Sequence, residues 1–498
     1  MTVVPPVRAA RSIAPAMSAA LLLGACLPGR YVSRHAPPPI EVAREATATP
    51  TATPTPTPTP AATSTPAAAP ASTPPRSLAD LVDLALSRDP ATRATWYDAR
   101  AAAAQAGARW AAYLPTVDVS ANLTQQHQDA TPSRPGGFDQ RSWGGSATLT
   151  WLLLDLGARG ALREEGELLL AAARLGEHAA VADLVLRVQQ AYFGYLGARA
   201  LVEAQSAVVR QAEANLASAQ GRQKAGVATI ADVLQARTAL SQSRLVLQQL
   251  EGQALALRGG LASLAGLPPT AELDVGTLPV SVDAGAVQPA AEQLLAAAAV
   301  RNPDVLRAEA AAAAADARAR ATLRALGPTL SLQGTGTITS YLEPSGAPRT
   351  AAGTASLVLR LPLLDGLGLR PAYDALATRA AADAARARAD ATAQRVALDV
   401  WTSFQALRTA GQRVGTSKDL VGSARASAEV AQGRYKEGVG SIVDLLTAQA
   451  ALEQALAEDV RSRADFLVSL AQLARASGRL ELPEKARTPG AQEGTGTP

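Results

Sequence analysis

Four short runs of the chain alternate strictly between apolar and polar residues. Val117, Val119, Ala121 and Leu123 interleave with Thr116, Asp118, Ser120, Asn122 and Thr124; Ala147, Leu149 and Trp151 interleave with Ser146, Thr148 and Thr150. Further on, Leu330, Leu332 and Ile338 stand against Ser331, Gln333, Thr335 and Thr337, and Ala355, Leu357, Leu359 and Leu361 against Thr354, Ser356 and Arg360. Successive residues of a strand point to opposite faces, so each run predicts a strand with one apolar and one polar side. The pattern suits a membrane barrel around a wet lumen and equally a half-buried strand of a soluble sheet. The intervening stretches 125–143 and 340–353 carry Gly, Pro and polar residues and are expected as surface loops.

Elsewhere the pattern is helical and unusually long. No proline occurs between Pro135 and Pro268, or between Pro371 and Pro483. From Ala158 to Lys224 the helical pattern runs for about 67 residues, roughly 100 Å at the rise of an α-helix. Each long helix is expected to stop at a glycine, Gly226 or Gly438, suited to the left-handed position beyond a helix end. Thr229 and Ser441 then cap a returning helix, with Asp232 and Asp444 three residues on as reciprocal capping partners. Ser77-Leu78-Ala79-Asp80 has the same signature and marks where the folded body begins.

The elements come in two similar sets. Asp89-Pro90 recurs as Asn302-Pro303, Leu114-Pro115-Thr116 as Gly327-Pro328-Thr329, and Leu152-Leu153-Leu154-Asp155 as Pro362-Leu363-Leu364-Asp365. Aligning Gly221 to Gln242 with Gly433 to Gln454 gives 12 identities in 22 positions, too many for coincidence of composition. A repeat this long exceeds a solenoid unit and reads as a duplicated half: a β-hairpin leading into a long helical hairpin. A Pro- and Gly-rich linker over 266–289 joins the halves.

Composition narrows the function. Aromatics are only 3% of a chain that is 48% apolar, so alanine and leucine build the core. With 47 basic and 43 acidic residues interspersed, no nucleic-acid face is expected. Three histidines and one cysteine leave too few ligands for a His or thiolate metal centre. No phosphate-binding glycine loop is present. Tyr192, Phe193, Trp401 and Phe404 fall on the long helices as packing residues. Trp143 and Trp151 flank a strand, either as interfacial girdle residues or as core.

The N-terminus bears on compartment. Arg8 and Arg11 precede an apolar stretch over 12–23, the layout of a secretory signal. It ends in Leu23-Gly24-Ala25-Cys26, which resembles a lipoprotein processing site, and Leu27 favours outer-membrane sorting by the same resemblance. Acyl chains on Cys26 would give stable anchoring; the alternative is ordinary cleavage with Cys26 idle. Positions 37–75 are nearly all Pro, Thr, Ala and Ser, a solvated, extended tether.

Leaving the signal aside, no segment is long and apolar enough to be a spanning helix. Only the four strands can cross a membrane, and four strands cannot close a barrel, because open edges are forbidden in lipid. Two copies would supply eight strands and three would supply twelve.

The order of Asn/Asp-Pro helix, Leu-Pro-Thr strand, Leu-Leu-Asp and the Lys-x-Gly-Val-x-x-Ile-x-Asp turn is similar to the TolC-like outer-membrane factors, and with Cys26 to their lipoprotein branch. The resemblance covers 77–480. It implies an α+β membrane protein: an outer-membrane β-barrel of four strands per chain and twelve per homotrimer, continuing into a periplasmic α-helical barrel. It implies a non-enzymatic exit duct, with no cofactor beyond lipid at Cys26, served by a periplasmic adaptor and an inner-membrane pump. The adaptor would dock on Gly226, Val227 and Ala228 and on Gly438, Val439 and Gly440. Asp444 and, by its matching position, Asp232 would ring the periplasmic aperture, unless capping is their whole role. Thr447 and Gly440 depart from the best-known member's gate, so a single weaker ring is expected. The implied division is signal 1–25, acylated tether 26–76, repeats 77–285 and 286–480, and tail 481–498. The competing reading from the residues is a periplasmic lipoprotein scaffold without a pore. The cargo is not encoded in any recognisable motif.

Overall fold

The computed structural model describes residues 76–129, 136, 138–279, 291–343, 348–362 and 369–479. Cys26, the tether up to 75, Leu363, Leu364, Asp365 and the tail 481–498 lie outside the described residues. The elements run α1 (Leu78–Arg88), α2 (Pro90–Ala111), β1 (Thr116–Gln128), β2 (Phe138–Leu154), α3 (Ala158–Lys224) and α4 (Ile230–Leu264). The same order then recurs as α5 (Ala291–Arg301), α6 (Pro303–Arg324), β3 (Thr329–Glu343), β4 (Thr350–Arg360), α7 (Leu369–Lys436) and α8 (Ile442–Ala476).

The repeated Asp/Asn-Pro pairs act as helix starts. Asp89 Oδ2 accepts the Thr92 N–H at 2.8 Å and Asn302 Oδ1 accepts the Asp304 N–H at 2.9 Å. Pro90 and Pro303 occupy the first helical turn, where the missing N–H is not needed.

The strands form one antiparallel sheet in the order β1-β2-β3-β4. Directly paired residues of an antiparallel sheet share a face, and here the register sorts residues by polarity. Thr116, Thr150, Gln333 and Ser356 form one row, and Asp118, Thr148, Thr335 and Thr354 another. On the opposite face Val117, Leu149, Gly334 and Ala355 align, as do Trp151, Leu332 and Leu357. The edge strands are uncovered on both faces: every residue of β1 is exposed and all but one of β4, with Val119 and Leu123 of the apolar face each 78% exposed. Among the described residues, β1 and β4 each have a single strand neighbour.

Two sequence expectations are corrected. The expected loops 125–143 and 340–353 are largely strand, with Gln125 to Gln128 pairing Arg141 to Phe138 and β3 reaching Glu343. Beyond Leu123 and Trp143 the apolar half of the alternation stops while the backbone ladder continues. The pairing there is sustained by polar contacts such as His127 Nδ1 to Asp139 Oδ1 at 2.6 Å. The linker is also more than a linker: Leu273, Val275 and Leu278 are buried, and Arg76 N–H donates to Asp274 O at 2.9 Å.

The helices hold the core. α3 packs against α2, α4, α6 and α8, and α7 against α6 and α8. Near the middle of α3, Leu184, Val185 and Val188 meet Leu81, Val82 and Ala85 of α1, Leu261 of α4 and Val460 of α8. A second cluster joins Val396, Val400, Leu407 and Val414 of α7 to Leu294 and Ala298 of α5 and to Phe466 and Leu473 of α8. Tyr192, Phe193 and Phe404 pack against these clusters as expected, whereas Trp401 is exposed, because it faces away from the neighbouring helices of its own chain. Arg475 ties the two helical sets together, donating to Asp183 at 2.7 Å and Asp304 at 2.8 Å.

No helix among the described residues is long and apolar enough to cross a membrane. Leu184→Ala empties a site that is 1% exposed and is expected to lower unfolding stability by about 2–5 kcal/mol. Denaturant titration of the purified protein measures it, and a loss well below that range would contradict the core assignment.

Candidate functional site

Three places concentrate unusual backbone geometry: the strand-to-helix junction and the two helix–turn–helix tips. At the junction Leu156 and Gly157 both have left-handed φ, 51° and 84°. The Asp155 carboxylate accepts the Arg159 N–H at 2.7 Å and the Gly157 N–H at 3.3 Å, starting α3. Arg159 donates to the carbonyls of Leu152 at 2.7 Å and Ala112 at 3.2 Å and lies over the Tyr113 ring. The Leu-Leu-Leu-Asp motif is thus the hinge that turns a sheet strand into a long helix; Arg159 carried no sequence signal of its own. Trp151 donates its indole N–H to Tyr113 O at 3.0 Å here, and neither it nor Trp143 is buried, which removes the core alternative for both.

The tips are built alike. At the end of α3 the Val227 N–H bonds Arg222 O and the Gly226 N–H bonds Gln223 O, both at 3.0 Å, with Gly226 at φ 75°. At the end of α7 the Val439 N–H bonds Arg434 O at 3.0 Å and the Gly438 N–H bonds Tyr435 O at 3.2 Å, with Gly438 at φ 79°. This crossed pair of bonds satisfies carbonyls that a helix end leaves free. Tip two adds a third bond, from the Gly440 N–H to Arg434 O at 3.0 Å. A Cβ on Gly440 would stand 3.0 Å from Arg434 Cβ, so glycine at this position permits the close approach.

Both return helices open with complete capping boxes, Thr229 with Asp232 and Ser441 with Asp444. The Asp444 carboxyl is held below its ordinary pKa, mainly by hydrogen bonds from the Ser441 side chain and backbone and then by the Arg434 charge. A depressed carboxylate stabilises the fold above its unfolded pKa and loses that contribution as pH falls through the folded one, so the cap is intact at neutral pH. Asp232 and Asp444 therefore occupy matching first turns and are committed to capping within the chain. Val227 and Val439 project at the tips, 64% and 70% exposed.

One contact joins the tips and was not foreseen from sequence. Arg222 Nη1 donates to Tyr435 O at 2.9 Å and Lys436 O at 3.3 Å, and its guanidinium lies 4.9 Å from the Tyr435 ring. A cation at the carbonyl end of α7 meets the negative end of the helix dipole. Burial raises the Tyr435 phenol above its ordinary pKa, opposed by Arg222 and reinforced by Asp232 across the tips. The signal lay in the repeated Gly-Arg pair, Gly221-Arg222 and Gly433-Arg434, of which Arg222 makes the contact. Among the described residues no group of His, Cys, Asp and Glu is arranged to hold a metal.

The left-handed turn gives a direct test. Gly226→Val forces a β-branched residue into that region and is expected to cost about 1–2 kcal/mol. Gly226→Asn should cost clearly less, since Asn visits the region. Thermal unfolding compares them, and equal losses would contradict the turn geometry.

With that geometry in view, the sequence matches the family described as outer membrane efflux protein over residues 81–267 and 294–479. Protein CyaE of Bordetella pertussis is 29% identical over 409 residues, covering 81% of this chain and 84% of that protein. Among solved structures, a membrane protein from Pseudomonas aeruginosa matches with TM-score 0.72 at 24% identity, covering 80% of this chain and 93% of that one. The outer membrane protein VceC of Vibrio cholerae matches with TM-score 0.69 at 20% identity, over 80% and 96%. The open-state MtrE outer membrane channel of Neisseria gonorrhoeae matches with TM-score 0.67 at 20% identity, over 81% and 90%. The match spans most of the chain and both sets of elements, so the chain belongs to the outer membrane efflux protein family: it is an outer-membrane exit duct of efflux or secretion systems, and not an enzyme.

Proposed function

We propose that three copies of this chain close one barrel, with β1 of each copy pairing to β4 of the next to give twelve strands. The observation that carries this reading is the four-stranded sheet whose edge strands each pair on one side only among the described residues, with one continuous apolar face and one of Thr, Ser and Gln. Edge strands expose rows of free N–H and C=O groups, which lipid does not tolerate. Joining edges head to tail around a threefold axis satisfies all of them at once. The Val117–Leu149 face then meets lipid and the Asp118–Thr148–Thr335 face lines water.

Below the barrel α3, α4, α7 and α8 extend into the periplasm as the wall of the duct. Their tips form its entrance, and Val227 and Val439 with their neighbouring glycines offer the surface on which a periplasmic adaptor docks. The adaptor links the duct to an inner-membrane pump, which supplies energy and selects the cargo; the duct itself conducts passively. Asp232 and Asp444, repeated around a narrow mouth, attract cations while keeping their capping role. Cys26 carries the lipid that holds each N-terminus at the outer membrane, and the Pro/Thr tether gives it reach. A pore-free scaffold would need a compact soluble β-domain, and the edge strands of the sheet here are uncovered on both faces.

Conductance across a planar bilayer tests the reading with the purified, lipidated protein. Discrete openings are expected, and Asp444→Ala is expected to change both conductance and cation preference. Silence from folded trimers would overturn the duct; a variant that only loses stability would reduce Asp444 to a cap.

A further inference from the structure

The contact between Arg222 and the end of α7 has an unfilled counterpart. In the repeat alignment Arg222 matches Arg434, Gln223 matches Tyr435 and Lys224 matches Lys436. Arg222 donates to the last carbonyls of α7, on Tyr435 and Lys436. By the same correspondence Arg434 should donate to the last carbonyls of α3, on Gln223 and Lys224. Within one chain it does not. Arg434 is exposed and its guanidinium makes no hydrogen bond or ion pair among the described residues, although its charge acts on Asp444 of its own tip. Among the described residues no side chain reaches the Gln223 or Lys224 carbonyls; Gln223 O takes the Gly226 N–H, just as Tyr435 O takes the Gly438 N–H, and Tyr435 O accepts Arg222 besides, so the negative helix end leaves room for a cation.

A ring of alternating tips has two kinds of junction. One lies between the tips of a single chain and is the junction seen here. The other lies between tip two of one copy and tip one of the next. We propose that Arg434 closes this second junction, its guanidinium donating to the Gln223 and Lys224 carbonyls at the end of α3 in the neighbouring copy. This rests on the trimeric reading above and goes beyond it by naming the bond that joins copies at the entrance. Arginine clasps then alternate within and between chains all the way round the mouth.

The two clasps are unequal. Inside the chain the Arg222 guanidinium also rests on the Tyr435 ring, a cation–π contact in a half-buried setting. Between copies the matching residue is Gln223, which has no ring. The junction between copies is the weaker one, and the mouth widens there first.

Cross-linking tests the placement. The full-length protein, purified in detergent, carries the pair Arg434→Cys and Lys224→Cys and is treated with a homobifunctional thiol reagent about as long as an arginine side chain. The pair Arg222→Cys and Lys436→Cys calibrates the reagent, since it should join residues within one chain without raising the mass. Single variants control for like-to-like links. The expected result is that the Arg434/Lys224 pair shifts most of the protein to dimer and trimer masses on denaturing gels. If native mass shows a trimer and the calibration pair reacts, yet the Arg434/Lys224 pair stays at monomer mass, the clasp is overturned and the trimer stands. If native mass shows no trimer, the reading beneath it fails instead.

Discussion

Backbone N–H and C=O groups in hydrocarbon must be paired inside the protein, and among the described residues the sheet of this chain leaves two of its strands paired on one side only. That shortage organises the rest of the molecule. It accounts for a sheet without a core of its own, for Val119 and Leu123 standing in the open, and for strands sorted so cleanly into an apolar and a polar face. A soluble chain with these edges would be an aggregation hazard; as one segment of a closed wall the same edges become the joints.

Stability is distributed to match. The large buried side chains sit near the middle of the long helices, where α1, α5 and the described part of the linker pack around α3 and α7. Towards the tips the clusters shrink to Val209, Ala212 and Leu240, then to Ala219, Val233 and Ala236. Small clusters resist separation less than large ones, so the middle of the helices is the fixed part and the tips are the part that can move. At the tips, specific polar bonds replace bulk packing: crossed turns at Gly226 and Gly438, capping boxes at Asp232 and Asp444, and the Arg222 clasp. Few groups then hold each tip, and each is reachable by a single substitution.

Most of the fold was legible in the sequence because its signals are local and periodic. The absence of proline and the bounding Gly226 located α3 over 67 residues, and Thr229 with Asp232 located the return. The strands were legible only where one side was apolar; past Trp143 polar residues face both ways, so pairing that depends on the partner strand left no trace in either strand alone. Leu273, Val275 and Leu278 were hidden among prolines and glycines, since burial there depends on helices far away in sequence. The tips were located from sequence, but the bond between them was not. An arginine reaching backbone carbonyls selects no partner residue type, so only three-dimensional placement distinguishes Arg222 from any other surface arginine.

The most direct test of the account is the mass of the detergent-purified protein by native mass spectrometry or light scattering. The account predicts a stable threefold assembly that needs detergent or lipid to stay in solution. A monodisperse single chain, soluble without detergent and with the Val117–Leu149 face shielded from solvent, would contradict it.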